Sequence, residues 1–312
     1  MIDFDQARAA LFQSEKSRYV LEEPMSRHTT FRIGGPARVF VSPGDERDLA
    51  AILLFCADKG IPYAFLGNGS NLLVSDRGFE GIIISMGNWN GLHIEGKRMR
   101  AGAGVLLPRL SRKALDASLT GLEFACGIPG TIGGALVMNA GAYGREMKDV
   151  VRRVKVMTRD GSVKTLEAEA LRLGYRTSVI PKEGYVVLEA ELELAFGDPQ
   201  AIRAEMEELS ARRREKEPLE YPSAGSTFKR PPGYFAGKLI DDAGLRGLRV
   251  GDAQVSEKHC GFVVNRGNAT AADVLSLCAQ VRERVREAFG VELELEVRRL
   301  GDFGAQEEQV RT

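Results

Sequence analysis

The chain has 312 residues, 44% of them hydrophobic and 28% charged, enough apolar material for about two or three compact soluble units. Its 43 lysines and arginines balance 43 aspartates and glutamates, so no global charge favours nucleic acid, an anionic membrane or an acidic protein partner, and any anion site has to be local. Cys56, Cys126, Cys260 and Cys278 stand far apart and there are three histidines, which gives no CxxC or zinc-type pattern; no metal is expected and the thiols read as reduced and structural.

The opening MIDFDQARAALFQSEKSRYVLEEP reads as a charged helical start without an apolar stretch of signal length. No later segment approaches the roughly eighteen apolar residues of a membrane span, so a cytoplasmic protein is expected. ARVFVSP (37–43) then alternates as a strand, DERDLAAILLFCADKG (45–60) has helical spacing closed by Gly60, and IPYAFLG (61–67) returns as a strand, a small βαβ-like unit. From about residue 81 strand patterns dominate: GIIISM, the hairpin VKVMTRDGSVKTL turning at Asp160-Gly161, and YVVLEAELEL with acids at alternate positions. LLPRLSRKALDASLTG (106–121) interrupts them as a helix. PQAIRAEMEELSARRREKEP (199–218) places Ile202, Met206 and Leu209 at helical spacing and then becomes almost wholly charged before Pro218, which suits a helix leaving one domain and predicts a boundary near 205. In TAADVLSLCAQVRERVREAFG (270–290), Thr270 is the expected N-cap, Asp273 stands three residues on, and Gly290 is the stop. VELELEVRRL (291–300) alternates as a closing strand.

Two glycine-rich loops follow apolar runs, LGNGSNLLVSD (66–76) and GIPGTIGGALVMNAGAYG (127–144). Glycine lets backbone amides approach an anion with no Cβ in the way, and Asn68, Ser70, Asn71 and Thr131 add neutral donors suited to a pyrophosphate. Neither loop has the GxxxxGK[ST] of a P-loop NTPase or the GxGxxG of a standard Rossmann site. Tight turns alone explain the glycines of a single loop. The density of Gly127, Gly130, Gly133, Gly134, Gly141 and Gly144 exceeds what one turn needs and points to backbone packed against a large ligand. From the residues alone the reading stops at a nucleotide or dinucleotide binder.

At these loops the chain resembles the UDP-N-acetylenolpyruvoylglucosamine reductase family. The motifs that carry the resemblance are TTFRIGGPA at 29–37, LGxGSNxLxxDxG at 66–78, GIPGxxGGAxxMNAGAYG at 127–144, LGYRTS at 173–178, YPSAGSTFKRP at 221–231, AGKLIDDAGLRG, VSEKHCGFVVNRGNATAADV, and LEVR at 295–298. They are long, separate and in order along nearly the whole chain. The resemblance implies an α+β fold: an FAD-binding domain of the PCMH, vanillyl-alcohol-oxidase-like type in two subdomains, expected at 1–75 and 76–205, then an α+β substrate-binding domain at 206–312 whose closing strand 291–300 carries a catalytic glutamate. It implies non-covalent FAD held by Gly67, Asn68, Gly69, Ser70, Asn71, Gly127, Gly130, Thr131 and Gly134, with NADPH as reductant. The short spacing from Arg176 to Ser226 places the chain with the shorter form of the family, which lacks an extra substrate-covering loop.

The implied reaction reduces an enol ether on a small molecule, UDP-N-acetylglucosamine enolpyruvate, so charge builds on the substrate carboxylate. By resemblance Arg176 and Glu296 meet that charge and Ser226 donates the proton. Lys229, Arg230 and Tyr143 are the expected substrate contacts. Taken singly each residue has an ordinary reading: Arg176 as a surface ion-pair partner, Glu296 as part of a solvated strand edge with Glu292 and Glu294, Ser226 in a turn, Lys229 as a loop charge, and Tyr143 as a buried structural ring. Two other functions use the same loops, an oxidase of the same flavin fold and a nucleotide-sugar sensor without turnover.

Overall fold

The computed structural model describes residues 11–304; the expected charged helical start, read over 1–24, lies outside the described residues for 1–10, and its later part is not helical, Arg18–Pro24 being a strand. By contacts the described residues divide into two units: those up to Leu21, Val39–Asn68 and Gly81–Arg212 form the first, and Glu22–Arg38, Gly69–Glu80 and those from Arg213 onward form the second. This differs from the consecutive stretches 1–75, 76–205 and 206–312. The expected boundary at 205 falls inside one continuous helix, Pro199–Lys216. Its charged half continues the helix because Glu, Arg and Lys are good helix formers and pair along it, Arg212 with Glu208, until Pro218 prevents extension.

The first unit is α+β. An antiparallel sheet runs in the order Val163–Glu167, Val151–Met157, Val186–Glu193, Arg98–Gly102, Leu92–Glu95. The expected hairpin turns at Asp160-Gly161: Thr158 N donates to Ser162 O and Gly161 takes φ +79°, the left-handed position that favours glycine in a short hairpin loop. The acids of Val186–Glu193 do not all face water. Glu189 and Glu193 are exposed, whereas Glu191 is buried and held by Arg153 at 2.8 Å. The helix Glu46–Lys59 is capped by Asp45, which accepts from Arg47 N and Asp48 N, and ends at Gly60 in the left-handed conformation, as its sequence predicts. Leu49, Ile52, Leu53 and Cys56 from this helix join Ile82, Ile84, Met99, Val154 and Leu188 in one core.

The second unit has an antiparallel sheet in the order Ser223–Ser226, Phe262–Asn265, Ala253–Val255, Arg249–Val250. Its core joins Val255 and Val263 of the sheet to Leu239 and Ile240 of the helix Ala236–Asp242, Leu277 and Val281 of the helix Ala271–Phe289, and Phe31 and Leu73. Thr270 and Asp273 form the predicted capping box, and Gly290 ends the long helix at φ +66°. A second cap was not predicted: Asp76, from the LGxGSNxLxxDxG motif, accepts from Ala271 N at 2.7 Å and Ala272 N at 3.0 Å. An anion at a helix N-terminus meets both the exposed amides and the dipole.

The expected closing strand 291–300 is a strand only over Arg298–Leu300, which pairs in parallel with Leu72–Val74. The alternating stretch changes partner midway. Lys229 N donates to Glu294 O and Glu296 N donates to Thr227 O, and then Arg298 N donates to Asn71 O. Neither ladder is long enough to make the whole stretch one strand.

Burial pushes the thiols of Cys56 and Cys278 up to about 12 and that of Cys260 up to about 11, so these three are structural and unreactive at neutral pH. Replacing Asp76 with alanine removes one of the two caps of the long helix. It should destabilise the protein by about 1–2 kcal/mol, seen as a lower denaturant midpoint with an unchanged slope.

Candidate active site

Within the first unit the two glycine loops meet. Asn68 Nδ2 donates to Pro129 O at 2.6 Å, and a Cβ on Gly67 would stand 2.4 Å from Thr131 Oγ1. The second loop is pinned from behind: Leu107 N donates to Gly130 O, Ile132 N to Val105 O and Gly133 N to Ala103 O. Thr131 caps the short helix Ile132–Met138 with its own hydroxyl, accepting from Gly134 N. Of the loop glycines, Gly67 and Gly134 are exposed and Gly127 and Gly130 half-buried. A Cβ on Gly134 would meet nothing nearer than Thr131 Oγ1 at 3.7 Å. The juxtaposed loops therefore offer a neutral surface poor in side chains, of the kind a large anionic cofactor can lie against.

Gly69, Ser70 and Asn71 belong to the second unit, and the structure gives two of them duties within the protein. Gly69 sits at φ +61°, and a Cβ there would come 2.1 Å from the His28 carbonyl oxygen. Its own carbonyl accepts from Thr30 N at 3.3 Å. Thr30 Oγ1 in turn donates to Ser223 O at 2.6 Å, so the TTFRIGGPA motif ties the GSN loop to the serine loop. Asn71 brackets the glutamate: Nδ2 donates to Glu296 O at 3.2 Å and its carbonyl accepts from Arg298 N at 3.1 Å.

Ser226 and Glu296 are neighbours along paired backbones. Ser226 ends the strand Ser223–Ser226, where the pairing steps from Ser223↔Val264 to Ser226↔Phe262, one residue more on the serine side. Gly225 takes φ +77° within this bulge, and a bulge re-aims the side chain that follows it. Thr227, buried, donates its N–H to Gly261 O, accepts at its carbonyl from Glu296 N at 2.9 Å, and accepts at Oγ1 from Val263 N at 2.9 Å. The Phe228↔Leu295 bridge continues the pairing. Glu296 is half-buried while Glu292 and Glu294 are exposed, so the glutamate is set apart from the solvated edge that alternation suggests.

Arg176 stands in the first unit in a tight turn closed by Gly174 N to Thr177 O and Thr177 N to Gly174 O. Its φ is +54°, a conformation that costs a side-chain-bearing residue about 1–2 kcal/mol and that turns of this kind demand at their third residue. Its guanidinium carbon lies 5.5 Å from the centre of the Tyr175 ring.

Among the expected substrate contacts, Lys229 Nζ lies 2.8 Å from Glu294 Oε2. This bond and the charge behind it hold the Glu294 carboxyl below its ordinary range. The pair is exposed and worth little, so an anionic ligand can take the lysine. Arg230 lies over the Phe235 ring at 3.9 Å. Tyr143 is exposed rather than buried, and its hydroxyl donates to Leu209 O at 3.1 Å.

Residues 37–167 match an FAD binding domain, and residues 217–300 match the C-terminal domain of UDP-N-acetylenolpyruvoylglucosamine reductase. A Clostridium perfringens UDP-N-acetylenolpyruvoylglucosamine reductase is 51% identical over 281 residues, covering 90% of this chain and 92% of its own. One from Caldanaerobacter subterraneus is 48% identical over 288 residues, covering 92% and 95%. The chain belongs to the UDP-N-acetylenolpyruvoylglucosamine reductase family. A crystal structure from Thermus caldophilus, a reductase of the same name, is 39% identical with a TM-score of 0.78 over 91% of this chain and 99% of that one. The FAD-binding match spans both glycine loops up to Thr131 and Gly134, and the reductase C-terminal match spans Ser226 and Glu296.

Two glycines separate protein packing from cofactor contact. Gly69→Ala should lower the melting temperature of the flavin-free protein, because its Cβ meets backbone. Gly134→Ala should leave that temperature unchanged or higher, alanine being the better helix former, yet weaken FAD about tenfold or more in a fluorescence titration. Unchanged FAD affinity in Gly134→Ala would remove this face from the flavin site.

Proposed function

We propose that this chain is an FAD-containing oxidoreductase that uses NADPH to reduce UDP-N-acetylglucosamine enolpyruvate to UDP-N-acetylmuramate in peptidoglycan precursor synthesis. The observation that carries this is identity near one half to reductases of that name over nine-tenths of the chain, with the fold of a solved relative. FAD, when bound, supplies the hydride that NADPH provides to the terminal carbon of the enol ether.

The chain's own residues do the rest. Arg176 and Glu296 act on the substrate carboxylate, where negative charge grows as the double bond is reduced; a fixed cation and a hydrogen bond aimed there lower the barrier most where water is excluded. Ser226 gives its hydroxyl proton to the carbon beside that carboxylate. The bulge that re-aims Ser226 and the backbone bonds that hold Glu296 beside Thr227 support these roles. Glu296 serves best protonated, because a carboxylate there would repel the negative charge that grows on the substrate. Lys229 and Arg230 serve the pyrophosphate or carboxylate of the UDP-sugar, arginine being suited to bidentate contact, and Tyr143 lines the substrate side. FAD lies against Gly67, Asn68, Gly69, Ser70, Asn71, Gly127, Gly130, Thr131 and Gly134. In this reading the protein works in the cytoplasm on a small molecule, without nucleic acid, membrane or obligate protein partner.

The purified protein should be yellow, and acid precipitation should release all of the colour, since the flavin is held by backbone rather than by a covalent bond. Colour retained in the pellet contradicts this. Ser226→Ala separates the half-reactions: stopped-flow absorbance should show its flavin bleached by NADPH at near the normal rate and reoxidised by the enolpyruvyl UDP-sugar roughly a hundredfold to ten-thousandfold more slowly, the range of a general acid. Normal reoxidation would take Ser226 out of the mechanism.

A further inference from the structure

The turn that presents Arg176 holds the residue at φ +54°, so something outside the turn has to offset the strain. Two hydrogen bonds do so, and both come from one end of the helix Ile132–Met138. Asn139, buried at 2% exposure, ends this helix in the left-handed conformation at φ +43°. Its amide is fully committed: Nδ2 donates to Gly174 O at 3.2 Å and to Glu146 Oε2 at 2.7 Å, and Oδ1 accepts from Lys148 N at 2.9 Å. Gly174 is the first residue of the arginine turn. Just past the other side of the turn, Ser178, 1% exposed, donates Oγ to Val137 O at 2.9 Å. The turn is thus fastened at both ends to the last residues of a helix whose N-cap is Thr131 in the glycine loop.

We propose that Asn139 is a positioning residue for Arg176: its buried amide locks the strained turn and thereby sets where the guanidinium stands. This rests on the proposed role of Arg176. A carboxamide is the group the place requires. It donates to a carbonyl and a carboxylate while accepting from an amide, which an aspartate cannot do, and asparagine tolerates the left-handed backbone. Fixing both ends converts the cost of the strained residue into preorganisation, since a displacement of about 1 Å in a catalytic group can cost about a hundredfold in rate.

The test is Asn139→Gly, which keeps a residue suited to the left-handed position and removes only the amide. With FAD bound, reoxidation of the reduced flavin by the enolpyruvyl UDP-sugar should slow about tenfold to a hundredfold. In the flavin-free protein, amide hydrogen exchange at Gly174 and Thr177 should rise while the sheet stays protected. In an Arg176→Ala background the same substitution should add no more than about twofold, because residues acting through one another are not additive. Should Asn139→Gly fail to fold, Ser178→Ala loosens the other end and should show the same pattern in milder form. Normal reoxidation in the folded variant, or full additivity with Arg176→Ala, overturns the inference while leaving the role of Arg176 standing. An Arg176→Ala protein that reoxidises normally overturns both.

Discussion

The second unit depends on how the extended stretch around Glu296 is divided between two partners. The amide of Glu296 is taken by Thr227, its carbonyl by the side chain of Asn71, and the next ladder begins at Arg298 on the carbonyl of Asn71. A buried backbone group left without such a bond costs more than the bond itself contributes, so this register leaves the glutamate little freedom. The serine loop shares the constraint, because Thr227 is Ser226's neighbour and is held on its other side by Gly261 and Val263.

Elements set by local physics were legible. The helix Ala271–Phe289, with its capping box and terminal glycine, the helix Glu46–Lys59 and the hairpin at Gly161 stand where periodicity and turn chemistry predict. The closing strand 291–300 was legible as extended but not as divided, because alternation reports which side chains are buried and is silent about which backbone they pair with. Glu191 was missed for a related reason: its place on an alternating strand says solvent, and only the arginines of the neighbouring strand make its burial tolerable.

The candidate site was legible as a set of motifs, and less so as a set of duties. Asp76 sits in a flavin motif yet caps a helix nearly two hundred residues away in sequence. Asn71, expected at the cofactor, spends its side-chain amide on the carbonyl of Glu296. Asn139 stands in NAGAYG, where glycines draw the eye, and bonds to the turn of Arg176. Contacts from a side chain to distant backbone leave no period and no spacing in the sequence, so the residue type is visible and its partner is not. One signal was available for Asn139: asparagine directly after a helical run is the usual non-glycine left-handed cap.

These fastenings share a chemistry. Thr30 with Ser223, Asn71 with Glu296, Thr227 with Val263, Asn265 with Phe31 and Asn139 with Gly174 are bonds between a neutral side chain and backbone, the side chain donating in all but the Thr227 bond, where it accepts from Val263 N. Neutral donors do not titrate, and salt screens them far less than it screens ion pairs. A reaction that builds charge on a carboxylate gains from this arrangement. A framework built from buried ion pairs would add fixed charges of its own, whereas amides and hydroxyls fix geometry without adding net charge. The charged residues of the chain are numerous and balanced, but the pairs they form are mostly exposed, such as Arg38 with Glu22 and Arg77 with Asp302, and neutral hydrogen bonds fasten the loops that carry the motifs.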